Sequence, residues 1–149
     1  MLAILRERAL WLKTKGSDQW QGFIEGGMET VESRLAEGTV LLVERGGQDA
    51  ACVAVRWADP FWESVGADGQ AAWVHSLAVR RAFSGRGLGK ALLAFVESMA
   101  KAQRKGFCRL DVLDANARLK AYYAALGYRE RDSKPFQDRT LRLMEKTLR

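Results

Sequence analysis

Apolar residues along this chain fall into blocks whose spacing changes, and each change marks an expected element. In LAILRERALWLKTKG the aliphatic residues are separated by charges, which predicts an amphipathic helix over 2–15 stopped near Gly16. A second helix is expected from Met28 to Glu37, with Gly38 as its stop signal. TVLLVER (39–45) and ACVAVRW (51–57) are apolar, β-branched runs joined across Gly46-Gly47, the pattern of an antiparallel hairpin. Residues 58–70 break the alternation and read as a loop carrying Phe61 and Trp62, before the third strand AAWVHSLAV (71–79). Helical spacing returns with Leu88, Ala91, Leu92, Phe95 and Met99, predicting a helix from about Gly87 to Gln103. FCRLDVL (107–113) alternates, with Arg109 and Asp111 on one face and Cys108, Leu110 and Val112 on the other. Asn116 can open a last helix with the stripe Leu119, Tyr122, Tyr123 and Leu126, stopped by Gly127, and strands near 128–131 and 140–147 finish the pattern. No repeat, low-complexity tract or linker interrupts it, so residues 1–149 read as one α/β domain.

Composition narrows the chemistry. At 149 residues, 48% hydrophobic and 28% charged, the chain can bury a real core. No apolar run approaches the roughly 20 residues a bilayer requires. The N-terminus lacks the apolar core and small-residue cleavage site of a signal peptide, so a cytoplasmic location is the default expectation, with no membrane partner. Cys52 and Cys108 sit in strand-like runs and are expected as buried free thiols. With His75 as the only histidine, a Cys/His zinc site is not expected and no metal is assigned. The net charge of +6 favours anionic partners, and basic residues concentrate at Arg80, Arg81, Arg86 and Lys90 and at Lys101, Arg104 and Lys105. No polybasic tail or nucleic-acid signature accompanies them, so a solvated surface or a small anionic cofactor is favoured over DNA or RNA.

The stretch SGRGLGKALL (84–93) needs its own explanation, because glycine costs about 1 kcal/mol against alanine inside a helix. A nucleotide-triphosphate loop would need glycine at Ser84 and Ser or Thr at Ala91, and a dinucleotide fingerprint would need glycine at Lys90. Both readings fail. What remains is a strand, a glycine turn and a helix start, whose successive N–H groups can form an anion nest with Arg86 and Lys90 adding charge. A tight turn that merely uses glycine stays open as the alternative.

VHSLAVRRAFSGRGLGKALL followed by RLDVLDANARLKAYYAALGY resembles the GNAT superfamily of N-acetyltransferases, over roughly residues 70–130 and in the family's order and spacing. WLKTKGSDQW also resembles small bacterial members of that superfamily. The resemblance implies a single mixed, mostly antiparallel sheet flanked by helices, the acyl-CoA N-acyltransferase fold. This chain enters the pattern inside the first helix, so the family's first strand is expected to be missing, either lost or encoded upstream of this start. Such a sheet leaves an edge through which a homodimer could form.

The resemblance also implies acetyl-CoA as cofactor. Leu77, Ala78 and Val79 would lie along its pantetheine arm. Ser84, Gly85, Arg86, Gly87, Leu88, Gly89 and Lys90 would hold its pyrophosphate, and Asn116 and Tyr123 would lie near the thioester. Ser84 stands where the family carries Arg or Gln, which implies weaker cofactor binding. Tyr123, a phenol of ordinary pKa near 10, is the expected acid for the departing thiolate. His75 is the expected base, on local likeness to arylalkylamine acetyltransferases; its other role is that of a hydrogen-bonded strand histidine. Glu63, Asp111 or a water chain are alternative routes for the proton. Trp20, Phe61, Trp62 and Trp73 either line an acceptor pocket for an aromatic or apolar amine or belong to the core. The leading reading is acetyl transfer to a primary amine. Acetylation of a protein N-terminus or lysine, and an acetyl-CoA-binding sensor without turnover, are the alternatives.

Overall fold

A computed structural model describes residues 1–66 and 69–149; residues 67 and 68, in the loop expected over 58–70, lie outside the described residues. The elements are α1 (Leu2–Thr14), α2 (Gly22–Glu25), α3 (Met28–Glu37), β1 (Gly38–Arg45), β2 (Gln48–Arg56), β3 (Ala71–Val79), α4 (Leu88–Ala102), β4 (Phe107–Leu113), α5 (Ala117–Ala125), β5 (Arg129–Phe136) and β6 (Arg139–Thr147). Two 3-10 turns, Pro60–Val65 and Arg81–Phe83, flank β3. The strands form one mixed sheet of six in the order β1-β2-β3-β4-β6-β5, flanked by helices. Contacts divide the chain into two compact units, Met1–Arg56 with Ser76–Phe95 and Trp57–His75 with Val96–Arg149, so β3 and α4 each contribute to both.

In the first unit, Ile4, Leu5 and Ala9 of α1 share a core with Phe23, Val31, Cys52 of β2 and Ala78 of β3. Each buried Leu, Ile or Phe contributes roughly 1.5–3 kcal/mol by leaving water. β1 and β2 pair antiparallel from Gly38↔Arg56 to Arg45↔Gln48 around Gly46 and Gly47, both at positive φ, as a two-residue hairpin turn of this type demands. α3 stops at Gly38 as expected, though not through a left-handed cap. This glycine's φ of −162° is extended backbone and it already belongs to β1, where a Cβ would strike the Val55 carbonyl. Close approach to β2, rather than a left-handed cap, explains that glycine. No strand precedes α1 among the described residues.

In the second unit β3 and β4 run parallel, from Ala71↔Phe107 to Val74↔Leu110, as expected for strands joined by a helical crossover. β6 pairs antiparallel with both β4 and β5. β5 is twice as long as its expected 128–131: RERDSKPF carries no apolar alternation, because it is an edge strand whose charges, proline and irregular register discourage further pairing. Both cysteines are buried and free, and burial pushes the Cys52 thiol up to about 11 and the Cys108 thiol up to about 12.

Candidate functional site

In the first unit, the chain leaves β3 through the Arg81–Phe83 turn, Ser84 and the glycine run, and α4 begins at Leu88. Gly85 (φ 77°) and Gly87 (φ 76°) are both left-handed, which only glycine adopts without strain. A Cβ at either would meet open space, so conformation rather than crowding selects glycine here. The Ala91 amide donates to the Gly87 carbonyl at 2.9 Å, and among the described residues no backbone carbonyl receives the amides of 85–90. These are the orphan donors of a helix start, at the positive end of its dipole. Such a main-chain cradle fits the pyrophosphate of a coenzyme. Arg86 and Lys90 are exposed beside it, while Leu88 is buried and fixes the first helical turn.

The entry to this loop is braced. The Glu7 carboxylate accepts from the Arg81 amide at 2.9 Å and from Arg80 Nη1 at 2.6 Å, while Arg80 Nε donates to the Asp49 carbonyl at 2.7 Å. Partial burial pushes the Glu7 carboxyl up, but the Arg81 amide and the Arg80 guanidinium outweigh it and hold it below its ordinary value. The Ser84 hydroxyl donates to the Arg80 carbonyl at 3.1 Å, so its proton already serves the turn. Upstream, Ser76 has φ 52°, a left-handed break in an otherwise extended strand, and Leu77 and Val79 are half-buried around Ala78, whose methyl packs in the core.

The second unit carries a cluster of polar side chains. His75 and Asp111 stand one position beyond Val74↔Leu110, the last recorded pair between β3 and β4. Asp59, only 5% exposed, places Oδ2 3.1 Å from His75 Nε2, and its Oδ1 accepts from the Phe61 amide at 3.0 Å, capping the Pro60–Val65 turn. Trp62, fully buried in that turn, donates its indole N–H to Asp111 Oδ2 at 2.9 Å. Phe61 meets Trp62 and Phe136 edge-on, with centroids 5.1 and 5.7 Å away. The Lys134 ammonium donates to the Phe61 carbonyl at 2.7 Å and lies over the rings of Phe61 and Trp62. Beneath the turn, Arg109 is completely buried: Nε donates to Glu145 at 2.7 Å, Nη1 to the Gly66 carbonyl at 2.9 Å, and the guanidinium lies over the Trp73 ring. The turn is thus held at its cap, its indole and its final carbonyl.

Tyr123 comes from α5 of the same unit. Asn116 caps that helix, its side-chain oxygen accepting from the Leu119 amide at 3.0 Å, so this atom of an expected cofactor ligand has a local structural role. Tyr123 is buried, with its ring against Tyr122 and Tyr128. Burial pushes its phenol up, and nearby Tyr122, Asp111 and Cys108 add to the rise, so it holds its proton throughout the neutral range. Tyr122, expected in the apolar stripe, is instead 41% exposed, because α5 turns only one of its two adjacent tyrosines inward.

The structure brings His75, Asp111, Phe61, Trp62, Trp73 and Tyr123 into one compact unit, while Trp20 packs edge-on to Phe23 in the other. Glu63 is exposed, on the same turn. Sequence reasoning missed Asp59, the Arg109–Glu145 pair, Lys134 and Phe136. For Asp59 a signal existed: Asp followed by Pro is a helix-start signature, and it opens the 3-10 turn here. The partners of Arg109 and Phe61 come from strands distant in sequence and leave no local trace.

Residues 7–128 match the Acetyltransferase (GNAT) family. An uncharacterized N-acetyltransferase of Bacillus subtilis, YesJ, is 31% identical over 130 residues, covering 84% of this chain and 72% of that protein. Among solved structures, a GNAT-family acetyltransferase from Listeria monocytogenes superposes with a TM-score of 0.79 at 28% identity, covering 98% of this chain and 86% of that one. A GNAT-family acetyltransferase from Elizabethkingia anophelis, solved with acetyl-CoA bound, shares the fold at a TM-score of 0.67 and 16% identity, over 81% of this chain and 83% of that one. With its sheet, its glycine loop and most of its length matched, the chain belongs to the GNAT family of acetyltransferases.

Proposed function

We propose that residues 1–149 act as one domain that transfers an acetyl group from acetyl-CoA to a primary amine, by direct attack of the amine on the thioester. The observation that carries the cofactor assignment is the glycine loop, where Gly85 and Gly87 are left-handed and the backbone amides before and at the start of α4 have no carbonyl partner among the described residues. Acetyl-CoA supplies an activated acyl group with a thiol leaving group. In this reading the amides of 85–90 hold the pyrophosphate, with Arg86 and Lys90 adding charge, and the main chain of Leu77, Ala78 and Val79 runs along the pantetheine arm. A backbone N–H at the end of β3 meets the carbonyl oxygen as negative charge develops on it.

His75 takes the proton from the acceptor ammonium, since only about one amine in a thousand is neutral at pH 7 when the ammonium pKa is near 10. Tyr123 donates to the departing sulfur. Its burial, which keeps the phenol protonated, supports this assignment. Phe61, Trp62 and Phe136 form an aromatic group beside His75 and Asp111, which favours an aromatic or apolar amine as acceptor. No helix among the described residues is long and apolar enough to cross a membrane, and we take the acceptor to be a dissolved amine.

Thermal unfolding with increasing acetyl-CoA tests the cofactor assignment. A saturable rise in Tm is expected, since ligand at 100 times its Kd adds about 2.7 kcal/mol. An unchanged Tm at millimolar acetyl-CoA contradicts the proposal. A rise in Tm without amine-dependent thiol release would instead identify a sensor.

A further inference from the structure

We infer that Arg8 and Arg81, gathered on the ring of Trp11, form a second phosphate site beside the glycine loop, and that it takes the 3′-phosphate of the coenzyme. This rests on the reading of acetyl-CoA as the cofactor. These three residues and the loop all belong to the first unit. Arg8 Cζ lies 4.3 Å from the centroid of the Trp11 ring and Arg81 Cζ 5.4 Å from it, so two cations converge on one half-buried indole. Arg8 and Trp11 are three positions apart on α1, the spacing at which helical side chains become neighbours. Arg81 opens the turn that follows β3, and the Glu7 carboxylate fixes its amide at 2.9 Å.

The charge gathered there lacks a counterpart. Glu7 is the carboxylate that reaches this group, and its oxygens are taken by Arg80 Nη1 and the Arg81 amide. Arg80 is likewise committed, with Nη1 on Glu7 and Nε on the Asp49 carbonyl. Among the described residues, neither the Arg8 nor the Arg81 guanidinium donates to a carboxylate or carbonyl, although each carries several N–H donors. Burial first, and the charge of Arg81 second, pull the Arg8 guanidinium below its ordinary value, with Glu7 opposing. A phosphate monoester carries a charge of about −2 at neutral pH and three acceptor oxygens, and it can accept from both planar forks at once.

Position along the chain selects the coenzyme's phosphate. Arg81 precedes Gly85 by four residues, which span no more than about 14 Å of chain. In coenzyme A the pyrophosphate and the 3′-phosphate hang from one ribose. A pyrophosphate held by the amides of 85–90 therefore keeps the 3′-phosphate within a sugar's width of the loop. The amides read the pyrophosphate by backbone shape, and the two arginines read the monoester by charge.

Dephospho-CoA, which lacks only the 3′-phosphate, is the probe. In calorimetric titrations the wild type should bind CoA at least tenfold more tightly than dephospho-CoA. The double variant Arg8→Gln with Arg81→Gln should bind CoA as weakly as dephospho-CoA, with its Kd for dephospho-CoA within twofold of wild type. That retained affinity also reports an intact fold and loop. Arg81→Gln alone, a change to an exposed side chain, should remove part of the preference.

Equal affinity of the wild type for the two nucleotides overturns the inference, as does a double variant that weakens both alike or keeps the wild-type preference. A wild type that binds neither nucleotide overturns the cofactor assignment itself, and this site with it. Inorganic phosphate distinguishes the other source of the same chemistry. A saturable rise in Tm with phosphate that needs both arginines, in a protein indifferent to the 3′-phosphate, would give the site to a free anion and overturn its assignment to the coenzyme.

Discussion

The glycine loop of the first unit and the polar cluster of the second do their work with different atoms. The loop offers main-chain amides, and its side chains matter mostly by being small enough to permit left-handed backbone at Gly85 and Gly87. The cluster offers side chains, with Trp62 held by Asp111 and Arg109 by Glu145, each a partner far away in sequence, and with Asp59 lying beside His75. A main-chain site should therefore be broken by changing conformation and be tolerant of changed charge. A side-chain site should respond to the loss of a single atom.

The largest expected effect tests the second half of that contrast. Arg109→Met leaves Glu145 without its buried partner and frees the Gly66 carbonyl, and should cost about 3 kcal/mol of stability in urea unfolding. Exposed Arg131 still reaches Glu145, at 3.2 Å, which keeps the loss at the low end for a broken buried pair. Gly87→Val comes next. A β-branched residue at φ 76° is strained, and its bulk stands where phosphate must approach, so CoA affinity should fall about a hundredfold with folding retained. Affinity within threefold of wild type would show that the loop is only a turn. His75→Ala should lower turnover at pH 7 by at least tenfold, and the deficit should shrink toward pH 10, where the acceptor amine is already neutral. A deficit constant with pH would point to a structural histidine.

The smallest effect concerns the brace under the loop. Glu7→Gln keeps an acceptor for the Arg81 amide but loses the charge facing Arg80, and should weaken CoA binding only a few-fold. Because Glu7 titrates below its ordinary 4.5 in the folded protein, its contribution is present above that value and lost as pH falls through the lowered one. The difference between wild type and variant should therefore fade in acid. A difference that persists there would mean the charge is not what matters.

The same contrast decides what could be read from sequence. α3, β3 and β4 have the expected bounds, and the helix after the glycine run follows closely, because apolar periodicity dominates in those segments. The glycine loop's conformation was legible for a related reason: left-handed backbone is a local property, and glycine writes it directly into the sequence. β5 was not, since a polar edge strand owes its existence to β6 and not to its own residues. Asp59 was half legible. Asp-Pro announces a turn, but nothing in DPFWE says that the second carboxylate oxygen lies on a histidine of β3. Arg109 and Asp111 were rightly placed on one face of β4. The complete burial of Arg109 depends on Glu145, 36 residues further along.

The central claim is acetyl transfer to an amine with a protonated Tyr123 serving the leaving sulfur, and thiol release from acetyl-CoA across a panel of primary amines tests it most directly. Wild type should release CoA thiol in proportion to an aromatic or apolar amine, and Tyr123→Phe should do so more than tenfold more slowly with its acetyl-CoA affinity unchanged. Thiol release indifferent to every amine, or undiminished in Tyr123→Phe, would contradict the account.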